Sequence, residues 1–126
     1  MILIDTSLLA DHFRMADPVV VGLLVQGEVI CHPFVVGEIM MGNPRNRHGI
    51  AELLHRLPQL PIASDTEVLD FVERHLLFGT GLGYVDAHLL AAVRLARGTT
   101  VWTRDRRMAK AAEQLSIFAN EMPKLQ

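Results

Sequence analysis

Three carboxylates stand alone in apolar sequence. Asp5 is the only charged residue among positions 1–10, Glu38 the only one from 29 to 44, and Asp86 the only one from 75 to 93. An isolated carboxylate withdrawn from water costs several kcal/mol, so each needs a proton, water or a positive partner, and no Lys or Arg lies close by in sequence. If the three converge, their mutual repulsion calls for a cation among them. Oxygen donors with no Cys and no obligatory His select a hard ion, Mg²⁺ or Mn²⁺, which takes a few carboxylates and keeps several waters. Such an ion orients a water, lowers its pKa and neutralises charge on a phosphodiester under attack, which is the chemistry of a nuclease. Asp105, three residues past an apolar run at 99–102, is a fourth candidate, placed to position the ion or the attacking water.

A polyanionic substrate also needs a positive surface. Arg94, Arg97, Arg104, Arg106, Arg107 and Lys110 put six of the twelve Lys and Arg residues into seventeen positions, interrupted by one acid, Asp105. Such a stretch would bind the phosphates of a polyanion, with Arg45 and Arg47 as additions. Each feature has a plainer reading taken singly. Asp5-Thr6-Ser7 has the pattern of a helix cap, Asp86 near a helix start suits the helix dipole, Asp105 among arginines suits a solvated cap, and the basic stretch suits a solvated helix face. Glu38 resists such a reading most, because it stands in a helical stretch among Phe34, Val35, Ile39 and Met40. The joint pattern outweighs the separate alternatives.

Other motifs point elsewhere less well. The segment Gly79-Thr80-Gly81-Leu82-Gly83 lacks both the G-x-G-x-x-G spacing and a Walker lysine, and it follows a helical pattern, so it reads as a flexible lead-in to the Asp86 helix. His88 reads as a surface or supporting residue, and Cys31-His32 as the end of a strand. Met40-Met41 suits core packing or a partner groove. Ser7 has no G-x-S-x-G context, which makes a serine hydrolase remote.

The elements that must position the acids alternate. Short apolar segments at 1–4, 28–31, 60–62, 99–102 and 117–118 read as buried strands. Helical patterns separate them. Asp17-Pro18 opens one that Gly27 closes, and Ser64 with Glu67 forms a capping box before a stripe of Val68, Leu69, Val72 and Leu76. Val85, Leu89, Ala92 and Ala96 make a further stripe up to Arg97-Gly98, and 104–115 forms a short last helix. Strands spaced by helices predict an α/β fold with a parallel sheet covered on both faces, whose ligands sit at the carboxyl ends of the strands. With 126 residues, half of them hydrophobic, the chain is expected to form one domain over 1–126. A net charge of −2 argues against a wholesale polyanion coat. The single Cys31 excludes an intrachain disulfide, no apolar run reaches the ~18 residues of a membrane span, and Asp5 interrupts any signal-like opening, so a cytoplasmic protein is expected.

The motifs also carry a family resemblance. Ile2-Leu3-Ile4-Asp5-Thr6-Ser7, Val36-Gly37-Glu38-Ile39, Val85-Asp86-Ala87-His88-Leu89-Leu90-Ala91-Ala92 and Val101-Trp102-Thr103-Arg104-Asp105 resemble, in order and spacing, the PIN-domain ribonucleases, most closely the VapC-type toxins of bacterial toxin–antitoxin pairs. That resemblance implies a parallel five-stranded sheet flanked by helices, a homodimer, and Mg²⁺- or Mn²⁺-dependent endonucleolytic cutting of RNA. It also implies a cognate antitoxin that wraps the toxin and blocks its site. By position, Asp5, Glu38 and Asp86 match the acidic metal-binding core and Asp105 the more variable fourth acid, while Thr6 and Thr103 match hydroxyl residues that steady carboxylates or metal waters. Ser7 departs from the Asn the family often carries, and the arginines around Asp105 are heavier than its pattern. Two rival classes are a non-catalytic binding module on the same fold, acting through a DNA-binding partner, and a phospho-acceptor receiver domain, whose paired acids after strand one are missing here.

Overall fold

The computed structural model describes residues 1–119. The elements run β1 (Ile2–Ile4), α1 (Thr6–Arg14), α2 (Pro18–Val25), β2 (Val29–Ile30), α3 (Pro33–Met41), α4 (Arg47–Arg56), α5 (Asp65–Arg74), α6 (Tyr84–Leu95), β3 (Thr100–Trp102) and α7 (Arg106–Gln114). The sheet is parallel throughout, in the order β2-β1-β3, with Leu3 opposite both Ile30 and Val101. β1 is apolar at every position because both its faces are buried; Leu3 and Ile4 have almost no exposed surface.

Five strands were expected and three form. The other two segments run parallel to the sheet edges but touch them at one bridge each, Cys31 with Gln59 and Val101 with Phe118. Pro58 and Pro61 bracket the first of these. Lacking amide hydrogens, they leave only the bonds from Cys31 N–H to the Pro58 carbonyl (2.8 Å) and from Leu60 N–H to the Cys31 carbonyl (2.7 Å). At the opposite edge Val101 N–H reaches the Ile117 carbonyl (2.8 Å) and Ala119 N–H the Val101 carbonyl (2.9 Å), just after a turn at Ser116 with φ of 59°.

Local chemistry starts the helices where it was read. Asp17 accepts from Val19 N–H with Pro18 in the first turn of α2. Ser64 and Glu67 close a reciprocal capping box on α5 at 3.1 and 3.0 Å. The stripes are less well read. In α5, Val68 is fully buried with Phe71 and Val72 beside it, whereas Leu69 and Leu76 are 55% and 67% exposed. In α6, residues Ala87 through Val93 are all buried, so this helix is packed all round and its stripe is no guide; Val85 at its start is exposed. α4 starts at Asn46, a residue type favoured at N-caps, which here stands in the left-handed region and makes no side-chain cap bond. No helix among the described residues is long and apolar enough to cross a membrane.

Candidate active site

Asp5 follows directly on β1 and caps α1. Its backbone N–H bonds to the Trp102 carbonyl (3.0 Å), which ties it to the carboxyl end of β3, and its side-chain Oδ1 accepts from Thr6 N–H at 2.8 Å. The Thr103 hydroxyl donates to Asp5 Oδ2 at 2.7 Å in a buried contact, and the same oxygen accepts from Asp105 N–H at 3.0 Å. Thr103 therefore couples two of the predicted acids through one atom. Asp5 itself is only 8% exposed.

Asp86 lies in the first turn of α6, half-buried, with Oδ2 accepting from Gly83 N–H at 3.2 Å. Burial pushes its pKa up; the Gly83 bond opposes this, and the charges of Asp5 and Asp105 add to the rise. Glu38 projects from the middle of α3 to solvent, not into the core as its apolar neighbours imply, because α3 buries Val35 and Ile39 on its other face. Its pKa is also raised, first by desolvation, then by Asp5 and Asp86, with Thr6 working the other way. The Thr6 hydroxyl is buried, makes no hydrogen bond of standard geometry among the described residues, and acts on Glu38 across the cleft. Asp105 is exposed and caps α7 by accepting from Met108 N–H at 3.0 Å. The four acids, from the ends of β1 and β3 and from α3 and α6, thus face one another closely enough for Asp5 and Asp86 to act on Glu38, and for Asp5 and Asp105 to act on Asp86.

The donor set fits a hard divalent ion. All four candidates offer oxygen, and raised carboxyl pKa values record negative charge that a cation would relieve. Among the described residues no three acids, histidines or cysteines stand close enough to form a ready-made cage. Glu38 borders two hollows, one of about 310 Å³ with Thr6, Ala10 and Asn43, and an apolar one of about 610 Å³ with Phe34, Met41 and Val85.

The basic residues divide. Arg104 turns away to Asp17, Nη2 to Oδ2 3.3 Å, on the α2 side. Arg106, Arg107 and Lys110 line a hollow of about 630 Å³, together with His75, Gly79, Thr80 and Leu82. Arg94 approaches it through His75, whose pKa is lowered by burial and then by Arg94 and Arg74. Arg97 is exposed beyond the end of α6.

Two histidines were read too lightly. His32 is fully buried and caps α3, its Nδ1 accepting from Phe34 N–H at 2.9 Å. His88 is not a surface residue; it is 3% exposed, stacked edge-on with Phe34 and Tyr84, and its Nε2 lies 3.6 Å from Asp65 Oδ1. Tyr84 stands one helical turn before His88 in the sequence, whereas Phe34 and Asp65 meet it only in the folded chain; for His32 the sequence signal is Pro33 after it, the pattern of a cap followed by a first-turn proline.

The family described as PIN domain matches residues 2–114. Ribonuclease VapC32 of Mycobacterium tuberculosis, in strains CDC 1551 / Oshkosh and H37Rv, is 43% identical over 121 residues, spanning 96% of this chain and 98% of that protein. Among solved structures, that of PAE2754 from Pyrobaculum aerophilum superposes with a TM-score of 0.55 over 90% of this chain and 85% of that one, at 16% identity, a likeness of fold.

Proposed function

The chain belongs to the PIN-domain family, in its VapC-type branch, and from that premise we propose that it is a metal-dependent endoribonuclease, the toxin of a toxin–antitoxin pair. The observation that carries this reading is the Asp5 carboxylate, gripped by Thr6 N–H and the Thr103 hydroxyl while its charge acts on both Glu38 and Asp86. Asp5, Glu38 and Asp86 would hold Mg²⁺ or Mn²⁺, which supplies a water of lowered pKa and neutralises the phosphate.

The chain's own groups do the rest. Thr103 holds Asp5 Oδ2 while Thr6 N–H holds Oδ1, which fixes the carboxylate in one orientation. Glu38, at the solvent edge of the cleft, would complete the ion's carboxylate set from α3. Asp105, exposed and anchored through its N–H to Thr103, is suited to orient the attacking water. Arg106, Arg107 and Lys110 meet the backbone of the RNA.

The same reading has the chain act as one domain over 1–126 in the cytoplasm, as a homodimer, under a cognate antitoxin. The apolar hollow beside Glu38, with Met41 87% exposed, supports a protein partner lying next to the acids. The test is RNA cleavage by the purified chain with Mg²⁺ or Mn²⁺ and with EDTA. Cutting that needs the metal and disappears in Asp5→Asn is the expected result; undiminished cutting in EDTA overturns the metal assignment, and no cutting with any RNA favours the binding-module alternative.

A further inference from the structure

The hollow between α7 and the 79–82 loop is not merely a stretch of basic surface. Arg106, Arg107 and Lys110 face it, and among the described residues none of the three is paired with a carboxylate, in contrast to Arg14, Arg56 and Arg104. No acid lines it. Three unneutralised cations around one concavity repel one another and are relieved by an anion. The volume, about 630 Å³, lies within the roughly 300–1,000 Å³ of small-ligand sites.

The rest of the lining is suited to more than phosphate. Gln114 brings an amide able to donate and accept, His75 an imidazole whose pKa is lowered by burial and then by Arg94 and Arg74, and Leu76 and Leu82 an apolar wall. The glycine-rich loop is shaped to this cluster. Gly81 has φ of +88°, a backbone conformation that favours glycine, and a Cβ built there would lie 2.9 Å from Arg107 Nε and push that side chain aside. The hollow also adjoins the acids. Leu82 precedes Gly83, whose N–H holds Asp86, and Arg106 follows Asp105.

We propose that this hollow is a nucleotide subsite for single-stranded RNA, which takes the nucleotide flanking the cut, with its phosphate on Arg106, Arg107 and Lys110 and its base edge read by Gln114 and His75. This rests on the nuclease reading above and adds to it a source of sequence preference. Stacking and edge contacts in such a site discriminate among bases where backbone contacts do not.

The experiment uses the full chain, Mg²⁺ and a pool of labelled single-stranded RNA with a randomised centre, with cut ends sequenced. The unmodified chain is expected to show a base preference at one position next to the cut. Gln114→Leu, with His75→Asn as a second variant, flattens that preference without abolishing cutting. The double variant R107Q/K110Q raises KM about tenfold with kcat little changed and reduces the salt slope of binding in EDTA by about 1.4, two contacts at ~0.7 each. Gly81→Ala, which displaces Arg107, changes KM in the same direction. Arg56→Gln, an equal loss of charge on exposed α4, leaves KM and preference as they were. If the unmodified chain cuts while the cavity variants keep its KM, salt slope and preference, the subsite is overturned and the nuclease reading stands. If the unmodified chain cuts nothing with Mg²⁺ or Mn²⁺, both are overturned.

Discussion

Thr103 is the residue on which the acidic cluster turns. Its hydroxyl donates to Asp5 and accepts from Asp105 N–H, so its removal leaves a buried carboxylate oxygen and an amide without partners. Thr103→Val is expected to lose about 1–3 kcal/mol in denaturant unfolding and at least about tenfold in cutting rate (~1.4 kcal/mol of barrier), with Thr103→Ser restoring most of both. Unchanged cutting in the valine variant would remove Thr103 from the site. Asp86 makes the opposite bargain with stability. Its raised pKa means that the folded chain holds this proton more tightly than the unfolded chain, whose reference value is 3.8. The contribution is therefore full below pH 3.8 and is lost as pH rises through the folded value. Asp86→Asn, which keeps an oxygen for Gly83 N–H, should melt higher than the parent at pH 7, with the difference vanishing near pH 3.8, and should cut no RNA. A lower melting temperature at neutral pH would mean that Asp86 has a positive partner that the structure does not have.

At the scale of elements, the helix starts carry the site. Asp5 and Asp105 are the N-caps of the helices that follow β1 and β3, and Asp86 lies in the first turn of α6, which follows the glycine-rich 79–83 loop. These positions were legible because capping residues, Pro18 and the capping box at Ser64 act within a few residues of themselves. The outer strands were not, since one residue of pairing beside Pro58 or Ser116 depends on which edge lies opposite. Nor was the ladder of His32, Phe34, His88 and Tyr84, with ring centroids 4.7–5.0 Å apart, which locks α3 against α6 and, through Asp65, α5. Burial and then His88 bring the His32 pKa down to about 4. The unfolded chain takes up a proton at this residue near pH 6.5 that the folded chain refuses. Stability from His32 is accordingly present above pH 6.5 and falls as pH drops towards 4, by about 3 kcal/mol in all. His32→Asn retains a cap for Phe34 N–H and should flatten that part of the pH–stability curve; an unaltered slope would show that His32 charges freely in the fold.

Across the whole molecule, charge is arranged in opposition. Four acids gather at the sheet's carboxyl edge and an unpaired basic hollow adjoins them, though the net charge is only −2. Like charges held together by the fold weaken it, so an ion that binds among them strengthens it. Mg²⁺ at about 100 times its dissociation constant should stabilise the folded chain by ~2.7 kcal/mol, read as a rise in melting temperature that Asp5→Asn lacks. An equal rise in both would place the ion elsewhere. What the amino-acid order determined unaided was the alternation of strands and helices, the caps, and the oddity of lone acids in apolar surroundings, because each arises from neighbours a few residues apart. Only the folded chain decided that Asp5 is enclosed while Glu38 is open, that Arg104 goes to Asp17 while Arg106, Arg107 and Lys110 share a hollow, and that Thr103 bridges two acids. Those outcomes depend on which segments the sheet brings side by side, and residues 98 positions apart, like Asp5 and Thr103, carry no local sign of their meeting.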